Sequence, residues 1–192
     1  NWDRIRGEQG LPLPVHQLPR SEPLRDPETG HVYERIGIPL SWADARQACE
    51  LLGGHLAIVT TQRENDLLHG TLAESHSCWL GAFLPAGATA WKWIDDRPLT
   101  YANWAHESMG VVRSPPRVDL GAAIGSTERF WLRDGGFPGI EHGNAWYVRH
   151  AHGLVRRRNP ASSLDGALIL FALCEWESEE AWSSSFHRPG TP

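Results

Sequence analysis

An ordered series of aromatic-rich segments limits what this chain can fold into. Cys78-Trp-Leu-Gly-Ala82, Trp91-Lys-Trp93-Ile-Asp95-Asp96 and Tyr101-Ala-Asn-Trp104 follow one another closely, and Phe171-Ala-Leu-Cys174-Glu-Trp176 answers them far downstream. Trp79 to Leu84, Ala90 to Ile94 and Leu168 to Trp176 read as short strands, and Asp95-Asp96-Arg97-Pro98 reads as a turn. Trp91 and Trp93 lie two apart and so share a strand face. Core packing or support is the first reading for Trp79 and Trp93 and a weaker one for Trp91 and Trp104, with stacking on a sugar as the alternative. Ahead of these strands, Gly30 to Ile36 alternates like a strand. Two helix signals follow. Ser41 offers an N-cap with Asp44 as a capping-box partner, and Thr61 with Glu64 repeats the pattern. Trp42, Ala45, Cys49 and Leu52 fall on one face of the first helix, so Cys49 points inward, and Gly53-Gly54 ends it. Leu67, Leu68 and Leu72 give the second helix an apolar face. The expected class is α+β.

Taken in this order, the segments resemble the framework of the C-type lectin-like domain. Ser41 to Leu56 is similar to that family's first helix and Thr61 to Leu68 to its second. The resemblance covers roughly residues 31–104 and 168–177. It implies two helices around twisted antiparallel sheets, with an enlarged irregular loop region at 105–167. It also implies a long-range disulfide between Cys49 and Cys174, which match the family's helix and last-strand cysteines. The alternative is two buried free thiols. The family's second disulfide has no counterpart, since no cysteine falls between 79 and 173, and Gly121 stands about where one would be. Cys78 reads as a buried thiol.

Composition removes several classes of function. A net charge of -5 offers no basic footprint for nucleic acid. The longest apolar run, Ala167 to Cys174, is strand-sized, so no membrane insertion is expected. Three cysteines without a Cys-x-x-Cys pair support neither a disulfide-stapled miniprotein nor a zinc ribbon. No Gly-x-Ser-x-Gly, His-Glu-x-x-His or Walker A pattern occurs. Residues 1–30, with Pro12, Pro14, Pro19, Pro23 and Pro27, read as a linker or an arm lying on the domain. The domain itself is expected over 31–177, and 178–192 as a peripheral tail that Trp182 and Phe186 tack down. No signal-peptide pattern follows Asn1, and the chain reads as a trimmed or mature module of a larger protein. An oxidised Cys49–Cys174 pair would favour an extracellular or cell-surface setting.

Calcium-dependent sugar binding is what the family name implies first. A hard cation needs several oxygen ligands, and the family supplies them through short motifs that this chain does not keep. The corresponding segments are Ala105-His-Glu107-Ser108-Met109, Asp119-Leu120-Gly121, and either Trp131-Leu-Arg-Asp134 or Asn144-Ala-Trp146-Tyr. Leu132 and Arg133 stand where oxygen ligands belong, so calcium is disfavoured and no cofactor is expected. His150 and His152 with His142 lack a completing acid at motif spacing. The favoured function is non-catalytic recognition of a protein or glycan through residues 105–165. Its candidate contacts are Trp131, Arg133, Trp146, Tyr147, Arg149 and His150, because aromatics and arginines anchor binding surfaces. Bacterial and phage relatives that display hypervariable residues through diversity-generating retroelements supply a narrower form of this reading. Two other classes stand beside it: a calcium-dependent lectin with ligands from unexpected positions, and an enzyme on the related formylglycine-generating scaffold. The enzyme would need a reactive cysteine, and only Cys78 is spare.

Overall fold

The computed structural model describes residues 11, 13–73, 77–104, 112, 120–124, 146–150 and 170–186, with the backbone alone at 120, 123, 146–150 and 170. Eight strands form one sheet: β1 (Leu24–Arg25), β2 (Val32–Leu40), β3 (His55–Leu56), β4 (Cys78–Leu84), β5 (Lys92–Trp93), β6 (Leu120–Ile124), β7 (Trp146–His150) and β8 (Leu170–Trp176). The order is β1-β2-β8-β4-β6-β7, with β3 on β8 and β5 on β4. β8 is the centre of this arrangement. β2 takes one of its edges, while β4 and β3 share the other, meeting Phe171–Ala172 and Cys174–Glu175 respectively. The sheet departs from a wholly antiparallel one in that β4 and β8 run parallel. A second departure concerns 105–167, expected to be irregular. It supplies β6 and β7, paired antiparallel from Leu120↔His150 to Ile124↔Trp146.

The first helix, α1 (Trp42–Leu51), begins where Ser41 accepts the Asp44 backbone N–H at 3.1 Å. The Ser41 hydroxyl also donates to the Asp44 carboxylate at 2.8 Å. At the other end Gly53 has φ +81°, and the Gly54 N–H reaches back to the Cys49 carbonyl at 3.0 Å, a Schellman-type stop. The second helix, α2 (Gln62–Leu68), carries the full capping box, with Glu64 accepting the Thr61 backbone N–H at 3.1 Å. A π-helical turn, His69–Ala73, continues it and buries Leu72.

Alternation along β4 and β8 divides the core in two. Trp42, Ala45 and Cys49 of α1 pack on Trp79, Ala172, Cys174 and Trp176, whereas Leu68 and Leu72 pack with Leu80, Trp93, Ile124 and Leu173 on the other face. Each helix thus covers one side of the sheet. Trp79 and Trp93 are core residues, and Trp91 is buried against the partly buried Trp104 with ring centroids 4.9 Å apart. Cys49 and Cys174 are joined by a disulfide, Cα to Cα 5.4 Å.

Residues 13–31 lie along β2. Val15 and Leu18 are buried in the α1-side core, and the Gly37 N–H donates to the Pro19 carbonyl at 2.7 Å. The chain after β8 turns back as α3 (Glu179–Ser184). The indole N–H of Trp182 donates to buried Glu34 at 2.6 Å, and Arg20 pairs with the same carboxylate while its guanidinium covers the Phe186 ring at 4.3 Å. The two ends of the fold are therefore fastened to each other over the β2–β8 pair.

Candidate functional site

The residues expected to bind a ligand fall at one end of the sheet. Trp146, Tyr147, Arg149 and His150 lie on β7, the terminal strand of the sheet order, which among the described residues pairs with β6 alone. Trp131 and Arg133 lie outside the described residues, as do Glu107, Asp119, His142 and His152. What the structure does describe is how this end is joined to the scaffold. Gly121 of β6 lies under the Trp42 indole, so a Cβ there would come within 2.6 Å of Trp42 Cδ1 and 3.2 Å of Trp79 Cζ3. Trp42 is itself held, its indole N–H donating to the Leu80 carbonyl at 2.8 Å. A ring thus packs on bare backbone at Gly121.

Cys78, the one thiol outside the disulfide, is buried, and burial pushes its pKa up to about 12. It carries no thiolate near neutral pH, so the chemistry that the enzyme reading required is missing at this residue.

A second polar group, not anticipated from the sequence, lies where β2, β3 and β8 meet. In the registers of these strands His55 faces Glu175, and Val32 faces Trp176, which brings His31 opposite Glu177. Glu175 and Glu177 are two apart and share a face. His31 Nδ1 is 2.6 Å from Glu175 Oε1, and its Nε2 is 3.1 Å from Glu177 Oε2. His55 Nε2 is 3.0 Å from Glu177 Oε1, and its Nδ1 is 3.0 Å from the Leu56 carbonyl and 3.9 Å from Glu175 Oε2. Glu175 is only 2% exposed, and it is steadied by the Ile58 backbone N–H at 2.7 Å and the Tyr33 hydroxyl at 3.3 Å. The hydrogen bond to Glu175 raises the His31 pKa. Burial alone would lower that of His55, but Glu175, the Leu56 carbonyl and Glu177 together outweigh it and raise this one too. No short motif signals the cluster, because His31 and His55 are 144 and 122 residues from the glutamates they meet. The alternations His31-Val-Tyr33 and Glu175-Trp-Glu177 are its only trace.

Comparison with known proteins identifies the scaffold. Residues 38–116 match the family model of the Lectin C-type domain. The fold superposes on the mouse scavenger receptor C-type lectin carbohydrate-recognition domain with a TM-score of 0.52, over 80% of this chain and 95% of that one, at 19% identity. The chain has the C-type lectin fold, and its residues 38–116 match that family's domain model. Among curated relatives, C-type lectin domain family 6 member A of Mus musculus is 37% identical over 31% of this chain, and snaclec 5 of Echis pyramidum leakeyi is 36% identical over 41% of it. The lectin-like chain spans 28% of the length of the first and 58% of the second. The carbohydrate-recognition domain of cow CD23, solved in the presence of an oligosaccharide, superposes with a TM-score of 0.50 over 79% of this chain and 95% of that one, at 18% identity. No helix among the described residues is long and apolar enough to cross a membrane.

Proposed function

We propose that this lectin-like domain is a non-catalytic recognition module that binds a protein or glycan through residues 105–165, carried on β6, β7 and the segments around them. The observation that carries the reading is positional. The family match ends at residue 116, and the chain beyond it builds the last two strands of the sheet order. Trp79, Trp93 and Trp176, by contrast, are consumed by the core. Variable segments on a rigid scaffold are where recognition concentrates. Trp146, Tyr147 and Arg149 supply large contact area and bidentate hydrogen bonding for a partner. The burial of Cys78 supports the non-catalytic part.

Protein and glycan arrays probed with and without calcium test this reading. Calcium-independent binding that Trp146→Ala, Tyr147→Ala and Arg149→Ala abolish, with the melting temperature nearly unchanged, supports it. Binding that survives all three substitutions refutes it. The second reading, a calcium-dependent lectin, is favoured by the carbohydrate-recognition domains among the fold's neighbours, and chelator-sensitive sugar binding would establish it. The narrower form, a hypervariable display domain of bacterial or phage type, requires variation among close homologues to concentrate in 105–165.

A further inference from the structure

We propose that His55, Glu175 and Glu177 form a binding site for a divalent transition metal of the zinc class, with a water as the fourth ligand. The donor atoms of His55, Glu175 and Glu177 all lie within 4.8 Å of one another, and His31 touches both carboxylates. Zinc takes four nitrogen or oxygen ligands at about 2.0–2.2 Å, which places neighbouring ligand atoms about 3.4 Å apart. His55 Nε2 is already 3.0 Å from Glu177 Oε1, and the three donor atoms lie within 4.8 Å of one another, so an ion needs a side-chain adjustment that gathers them. Glu177 can provide it, since it is 65% exposed and its carboxylate bridges the Nε2 atoms of both histidines. Glu175 provides the opposite property. The Ile58 N–H and the Tyr33 hydroxyl fix its orientation, the outer-shell support that metal ligands require.

Charge favours the same conclusion. With both imidazoles neutral, the two carboxylates leave two negative charges, one on the buried Glu175 and one on the exposed Glu177. Glu64 adds its field at both His31 and Tyr33, and the nearby Arg63 is engaged with Asp26 and Glu28. Either two protons or one divalent ion balances that charge. Binding therefore releases protons from the imidazoles, and affinity falls as pH falls. Imidazole donors select zinc, copper or nickel over calcium, which needs six to eight oxygens.

Isothermal titration of the metal-free protein with zinc chloride at pH 7.5 tests the proposal. One equivalent is expected to bind. Glu177→Gln, which alters an exposed side chain, and His55→Asn are each expected to weaken the dissociation constant at least ten-fold, and Glu177→Gln with His55→Asn to remove binding. A His142→Asn/His152→Asn variant is expected to leave it unchanged. Zinc binding that is unaffected by Glu177→Gln and His55→Asn, or lost in the His142/His152 variant, overturns the assignment. So does an absence of binding at millimolar zinc, or calcium binding that Glu177→Gln abolishes while zinc does not bind.

Discussion

Gly121 lacks a side chain for a physical reason, and that reason is testable. The nearest obstacle to a Cβ is the ring of Trp42, which cannot swing aside without breaking its bond to the Leu80 carbonyl. Gly121→Ala is therefore expected to cost about 1–3 kcal/mol through overpacking, read from the urea midpoint, and an unchanged midpoint would refute the packing. His31 and His55 yield a prediction of a different kind. Both have pKa values raised in the folded state. Their stabilisation is fully present below the unfolded value near 6.5 and is lost as pH rises through the folded values. Unfolding free energy in metal-free buffer should thus decline above about pH 6.5, and a His31→Gln/His55→Gln variant should flatten the profile. A wild-type profile already flat over that range would count against the ion pairs. At this scale the sequence was readable where a residue acts with its neighbours along the chain, as Thr61 does with Glu64. It was silent where partners meet only through strand register, as the histidines and glutamates do.

The elements differ in legibility for the same reason. α1 and α2 announce themselves through caps, spacing and a glycine stop, all local signals. β6, by contrast, reads Leu120-Gly-Ala-Ala-Ile, with small residues where β-branched ones would mark a strand. Gly121 answers to Trp42 and Trp79 packed against it, a requirement that appears only in the folded sheet. The segment before β2 was open to two readings, linker or arm, and Val15 and Leu18 in the core favour the arm. α3 makes two very different contacts with the β1–β2 pair. Trp182 reaches the buried Glu34, whereas Arg25 and Glu179 form a pair that is about half exposed on each side. Trp182→Ala should cost about 2 kcal/mol, combining lost packing with a lost hydrogen bond to a buried charge. Arg25→Ala should cost clearly less, because an exposed ion pair stabilises little. Urea melts of the two variants check the ranking, and equal effects would show that α3 is not held through Glu34.

Across the whole molecule, the Cys49–Cys174 bond links α1 to the central strand across a sequence separation of 125 residues. In the chain-entropy account such a closure stabilises by up to about 4–5 kcal/mol. A Cys49→Ala/Cys174→Ala variant should lose a large part of that in equilibrium unfolding, and a loss below about 1 kcal/mol would show that the core, not the bond, holds α1 in place. The central position of β8 carries a further consequence for biosynthesis. A ribosome adding about 5–20 residues per second needs roughly 6–25 s to travel from Cys49 to Cys174. β2, β3 and β4 are all made before the strand that joins them, and their inner edges stay open to chaperones or to one another until β8 follows. Cys78 is the only other thiol made in the meantime. The order of translation thus offers Cys49 a wrong partner before the right one exists, and the native pair must be selected after synthesis has passed residue 174.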